Sequence, residues 1–176
     1  MPSIMRGTTD NAPGNTVGDL RNSRTSQPTY TTDGLLLPVP DADGLPFWEF
    51  AARGELRIQA CADCHELRFP PRPCCPHCQS FDSEWRRMSG RGRIWSYVLP
   101  HPPLLPAYAE LAPYNVILVS LADAPGIRLV GNLVAARDAP LNSVDPSRLR
   151  IGAPVKVVFA ELAEDVVVPR WVLEEA

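Results

Sequence analysis

Lysine is nearly missing from this sequence: Lys156 is the only one among seventeen basic residues, and all the others are arginine. Twenty acidic residues leave a formal net charge of −3 and a pI of about 5.6. That balance opposes a general binder of nucleic-acid phosphates, which needs a surplus of positive charge. Histidine is scarce as well, with only His65, His77 and His101. No Gly-x-Ser-x-Gly elbow, phosphate-cradling glycine-rich loop or His-Glu-x-x-His helix occurs. His101, between Pro100 and Pro102, reads as an exposed loop residue, and Asp41, Asp43, Glu161, Glu164 and Asp165 read as surface charge. The chain is therefore not expected to be an enzyme by itself.

Long apolar runs are also lacking. No stretch approaches the ~18 residues of a membrane-spanning helix, and the N-terminus has no apolar core of a secretory signal. A cytoplasmic protein is expected. Twenty prolines in 176 residues are roughly twice the usual share, so long helices are excluded and segment ends are well marked.

Residues 1–34 are rich in Thr, Asn, Ser, Gly and Pro, with Tyr30 the only aromatic. Such a segment buries too little apolar surface to offset its ordering entropy, so a disordered tail is expected. Met5 or a later residue is an alternative start. Residues 35–89 read as an N-terminal helix and a small ribbon, and 90–176 as a β-domain. Asp43 is the expected cap of a short helix over Pro46–Arg53 that Gly54 stops. Its apolar face would be Phe47, Phe50 and Ala51. Glu55–Ala60 alternates as a strand, and another short strand is expected around Trp85. From Gly92 onward five strands are predicted: Arg93–Leu99, Asn115–Leu121, Ile127–Val134, Val155–Ala160 and Val166–Leu173. A short helix begins at Asp145-Pro146-Ser147 between the third and fourth. Five short strands with that insertion match the order of an OB-fold barrel, so the fold class is mainly β.

Cysteine is the residue that is concentrated. Cys61-Ala-Asp-Cys64 and Cys75-Pro-His-Cys78 each form a C-x-x-C knuckle that aims two sulfurs at one point. Two knuckles ten residues apart supply four soft ligands, which suit tetrahedral zinc. Four thiolates leave no open position for water, so the Zn2+ would be structural. Alternatives are a redox dithiol, Cys74 in place of Cys75, or His65 or His77 replacing one sulfur.

Two further groups stand out. Arg86, Arg87, Arg91 and Arg93 crowd the junction of ribbon and barrel, interleaved with Trp85 and Trp95. They fit either a phosphate or nucleotide, or an acidic partner surface, or simply a solvated strand edge. The proline-rich loop 100–113 and the residue after it carry Leu104, Leu105, Tyr108, Leu111 and Tyr114. A loop that apolar must fold back or meet another protein, and the partner interface is favoured.

The order Pro46-Phe47-Trp48-Glu49, Gly54-Glu55-Leu56, Cys61-x-x-Cys64, Phe69-Pro70-Pro71-Arg72 and Cys75-Pro76-His77-Cys78 is distinctive. Gly90-Arg91-Gly92-Arg93-Ile94-Trp95-Ser96, Pro113-Tyr114 and Ile151-Gly152-Ala153-Pro154-Val155-Lys156-Val157 follow. This pattern resembles the acyl-CoA-associated family with a rubredoxin-like zinc ribbon and an OB-fold, first catalogued as a domain of unknown function. The residue after Cys64 is commonly glycine there and is His65 here. The resemblance implies a non-catalytic accessory subunit in a hetero-oligomer with a thiolase-like enzyme acting on acyl-CoA, with Arg86, Arg87, Arg91 and Arg93 then meeting the anionic end of CoA or partner carboxylates. It points first to a retro-aldolase of steroid side-chain degradation, with an acyltransferase partner as the nearest variant. A single-stranded nucleic-acid-binding OB-fold is the reading from another class.

Overall fold

The computed structural model describes residues 34–174. The expected disordered tail, Gly34 aside, lies outside them. Helix α1 runs from Leu45 to Ala52. Its cap is Gly44 rather than Asp43. The anchoring carboxylate is Asp41, whose Oδ1 accepts from the Gly44 N–H at 2.6 Å. Asp43 stays exposed because the cap position itself falls one residue later than the pattern suggests. Phe47 and Ala51 are buried as expected, and Gly54 ends the helix at φ 73°.

The ribbon is a three-stranded sheet of β1 (Arg57–Cys61), β2 (Leu67–Arg68) and β3 (Ser83–Arg87) in the order β2-β1-β3. After three connecting residues, 88–90, the chain enters a second sheet. Its strands are β4 (Arg91–Val98), β5 (Val116–Leu121), β6 (Arg128–Gly131), β7 (Pro154–Ala163) and β8 (Val166–Leu173). All neighbours are antiparallel in the order β6-β5-β4-β7-β8. The sheet curls until the chain beyond β6 meets β8. Leu133 bridges Trp171, the Trp171 N–H bonds the Asn132 carbonyl at 2.9 Å, and the Val134 N–H bonds the Trp171 carbonyl at 2.8 Å. This is the five-stranded OB-fold predicted from the strand pattern. The third strand is shorter than predicted because the chain leaves it at Asn132 to make that closure.

Gly90 marks the joint between the sheets. Its φ is 77°, and a Cβ there would meet Val157 Cγ1 at 2.6 Å. One apolar core spans both sheets: Leu56, Ile58 and Met88 of the ribbon side join Ile94, Val119, Val155 and Trp171 of the barrel. The insertion between β6 and β7 adds Leu141, Val144 and Leu149, all buried. Its 3-10 turn, Pro146–Arg148, is started by Asp145, which accepts from the Ser147 N–H at 2.7 Å.

Asn115, just before β5, is a buried polar residue of the barrel, 1% exposed. Its Nδ2 donates to the Leu133 carbonyl at 2.9 Å and its Oδ1 accepts from the Leu133 N–H at 2.7 Å. The side chain thus substitutes for a strand pairing where β6 ends. Asn115→Leu should strand both backbone groups without partners and lower stability by about 2–4 kcal/mol. A lower urea midpoint with unchanged slope would record it.

Candidate metal centre and exposed barrel face

Both knuckles repeat one local design. The His65 N–H bonds the Cys61 carbonyl at 3.1 Å, and the Gln79 N–H bonds the Cys75 carbonyl at 2.9 Å. The residue after each second cysteine adopts a left-handed backbone, with φ 62° at His65 and 65° at Gln79. Such a position favours glycine, and His65 shows that the turn forms without it. The two turns bring the Sγ atoms of Cys61, Cys64, Cys75 and Cys78 within 4.8 Å of one another. Cys61 lies 3.5 Å from Cys78 and Cys64 lies 3.7 Å from Cys75. Zinc–sulfur bonds of ~2.3 Å in a tetrahedron set sulfur atoms about 3.8 Å apart, so the cluster already has the size of a Zn(Cys)4 centre. A disulfide would need ~2.05 Å.

The electrostatics ask for a cation. The N–H groups of Cys64 and Asp63 favour the Cys61 thiolate and bring its pKa down to about 6. Those of Cys78 and His77 likewise lower Cys75. The Ser80 N–H favours the Cys78 thiolate, but the Cys64 and Cys61 sulfurs outweigh it and push that thiol up to about 12. Cys64 is raised too; burial and the Cys61 and Cys75 sulfurs exceed the pull of the Glu66 N–H. Four like charges cannot coexist at this spacing without a metal, and a d10 ion with thiolate ligands fits. The cluster fits a structural Zn2+, which Cys61, Cys64, Cys75 and Cys78 would hold. His65 and His77 are outside the cluster. Cys74 turns its sulfur to the Gln79 and Cys75 carbonyls instead.

The arginine group does not form one seat. Arg86 and Arg87 are successive residues of β3 and leave on opposite faces. Arg86 reaches Glu84 at 3.3 Å, and Arg87 stands opposite Arg57. Arg91 and Arg93 share the outer face of β4 and line an open groove of about 660 Å³ with Trp95 and Ile151. Arg91 pairs with Glu174 at 2.9 Å, and Arg93 donates to the Gly152 carbonyl at 2.8 Å. The apolar loop largely folds back. Tyr114 is buried, its ring 5.9 Å from that of Tyr108. The Tyr108 hydroxyl accepts from the Leu36 N–H, and Leu104 and Leu111 are half-buried. Leu105, at 54% exposure, is the loop's outward apolar side chain. The loop also contains a four-residue helix, α2 (Pro106–Ala109).

A larger apolar surface lies on the outer face of β4, β5 and β6, where Val98, Val130 and Trp95 are 58%, 67% and 50% exposed. Trp95 is the extra residue of a β-bulge between Ile94 and Ser96, and the Arg128 guanidinium stacks on its ring at 4.2 Å. Simple alternation from Ile94 would have turned Val98 inward, and the one-residue shift at the bulge is what brings it to the outer face. The bulge, and so the stacking, has no sequence signal.

Residues 48–84 match the family described as ChsH2, rubredoxin-like zinc ribbon domain, and residues 85–160 match ChsH2, C-terminal OB-fold domain. A solved structure named Ltp2-ChsH2(DUF35) aldolase contains a chain 37% identical, with a TM-score of 0.66. The match covers 77% of this chain and 98% of that one. A DUF35 domain-containing scaffold protein of Methanothermobacter thermautotrophicus is 32% identical over 64% of this chain and 77% of its own length. The 3-oxo-4,17-pregnadiene-20-carboxyl-CoA hydratase alpha subunit of Mycobacterium tuberculosis is 33% identical over 75% of this chain. This chain spans 38% of that relative's length.

Elemental analysis should find one zinc per chain. Cys75→Ser should lose the metal and unfold the ribbon, since zinc binding of roughly 10–16 kcal/mol is coupled to folding, while Cys74→Ser should keep it. His65→Gly should raise stability by about 1 kcal/mol, the strain of a left-handed non-glycine residue, read as a higher denaturation midpoint.

Proposed function

Because this chain belongs to the DUF35 family, with the zinc ribbon and OB-fold of its ChsH2 members, we propose that it is a non-catalytic accessory subunit of an acyl-CoA enzyme. It binds and stabilises a thiolase-superfamily partner, in the first instance a retro-aldolase of steroid side-chain degradation. The observation that carries the reading is the pairing of a metal site with no free coordination position and an apolar sheet face that the described residues leave exposed. The first offers no chemistry to a substrate, and the second is surface that a partner would bury. The class of partner is supported by the aldolase complex that contains the 37% identical chain. The steroid-like substrate is supported by the name of the mycobacterial hydratase subunit.

In this arrangement the partner cleaves the carbon–carbon bond of a β-hydroxyacyl-CoA. This chain contributes the face around Trp95, Val98 and Val130, with Leu105 as a further contact. Arg91 and Arg93, beside the Trp95 groove, are the residues placed to meet CoA phosphates or partner carboxylates. An acyltransferase partner would use the same face and differ only in its own chemistry. Arg128 on Trp95 is also the kind of platform on which a nucleic-acid base stacks, but Arg91 is already matched by Glu174 and the chain is acidic overall.

Co-expression with a thiolase-like partner should give a complex that survives gel filtration. Trp95→Ala with Val130→Asp should abolish co-purification and leave zinc content unchanged. The isolated chain should show no cleavage of β-hydroxyacyl-CoA and no salt-sensitive shift of single-stranded DNA; turnover by the chain alone would defeat the proposal.

A further inference from the structure

The ribbon encloses a positive charge that nothing among the described residues balances. Arg68, on β2, is 5% exposed. Its Nε donates to the Gln59 Oε1 at 2.8 Å, but both terminal nitrogens are shut off from solvent and have no hydrogen-bond partner. The Gln59 oxygen is already shared, since the Arg72 N–H also donates to it at 2.8 Å. A neutral amide cannot offset a full charge, and Arg68 forms no ion pair among the described residues. A buried guanidinium in that position is strongly unfavourable unless an anionic centre lies close by. Being sealed from the surface, it cannot obtain that anion from a partner protein or a diffusing ligand.

The strand register shows where the anion arises. Gln59 of β1 stands directly opposite Arg68. Cys61 is two residues along β1, so Gln59, Cys61 and Arg68 share one face of the ribbon. A diagonal neighbour of this kind sits about 7–8 Å away across the strand pair. Polar side chains continue in that direction, because the Gln59 Nε2 donates to the hydroxyl of Ser83, and Ser83 is the cross-strand partner of Cys61. Zinc bound by four thiolates carries a net charge of −2. We infer that Arg68 is the built-in counter-charge of the tetrathiolate zinc centre, held on the cysteine face of the ribbon by Gln59. With metal bound, the cation and the dianion stabilise each other inside the protein. Without the metal the tetrathiolate dianion is absent, and the buried Arg68 is left without its counter-charge. Arg68 therefore ties the ribbon's fold to metal occupancy beyond the four ligands themselves, and the inference rests on the zinc reading of the cysteines.

Cobalt(II) titration of the full-length chain, read from the sulfur-to-cobalt charge-transfer band, tests it with no dependence on enzyme activity. The wild-type titration reports on the metal site itself, so its failure would speak against the zinc reading alone. Arg68→Met should bind the metal at least tenfold more weakly, and Arg68→Lys, which keeps the charge, should stay within about threefold of wild type. Denaturation should add a reversal of order. Loaded with metal, Arg68→Met should be less stable than wild type; stripped of metal, it should be more stable. Wild-type metal affinity in Arg68→Met would overturn the inference. So would an Arg68→Lys variant as weak as Arg68→Met, which would mean that the guanidinium fork and its packing matter rather than the charge.

Discussion

Four sulfur atoms within 4.8 Å set the constraint on which the ribbon depends. The knuckle N–H groups turn two of the thiols acidic, and the resulting charge makes the remaining ones resist ionisation. Only a divalent cation resolves that conflict with all four ligands in place. The hairpins around it are short. β2 has two residues, too few to hold a sheet by hydrogen bonds alone. Metal ligation is thus the stabilising element that an apolar core supplies in a larger domain.

The barrel side of the molecule solves its stability differently. Trp171 is fully buried, and Gly131 gives it room, since a Cβ there would meet the indole at 2.9 Å. Ile58 and Met88 extend the same core into the ribbon. The ribbon is therefore seated rather than tethered, and the joint at Gly90 keeps the outer face of β4–β6 clear of it. Interior packing and metal serve stability, and among the described residues neither draws on the exposed Trp95–Val130 face.

The elements that follow from short-range rules were legible in the sequence. The C-x-x-C spacing gave the ligands, and runs such as Asn115–Leu121 gave the strands, because side-chain alternation and knuckle geometry are local properties. What depends on distant contacts was not. Asp43 looked like the helix cap, but the backbone placed Gly44 there and assigned the carboxylate role to Asp41. The four arginines looked like one cluster, yet the change of sheet at Gly90 separates Arg86 and Arg87 from Arg91 and Arg93. Tyr114 looked available to a partner and instead packs inside, with Tyr108 held by the lead-in at Leu36. Nothing in the local sequence of Arg68 or Gln59 marks them as buried, since their covering comes from a loop that wraps back through Arg72.

The strand order also fixes an order of assembly. All four zinc ligands lie between Cys61 and Cys78, so a ribosome-bound chain can gather its metal site long before β8 is made. The barrel cannot follow suit. β4, β5 and β6 can pair as a meander, but the interior they face is filled by Trp171, and their open edge is joined only when Asn132 and Val134 meet that same residue. Until β8 emerges, the growing chain carries a finished metal knot beside an open, apolar trough lined by Ile94, Ile117 and Val119. The nascent protein is therefore most exposed to aggregation between those two events, and the step that ends its vulnerability is the docking of a single tryptophan.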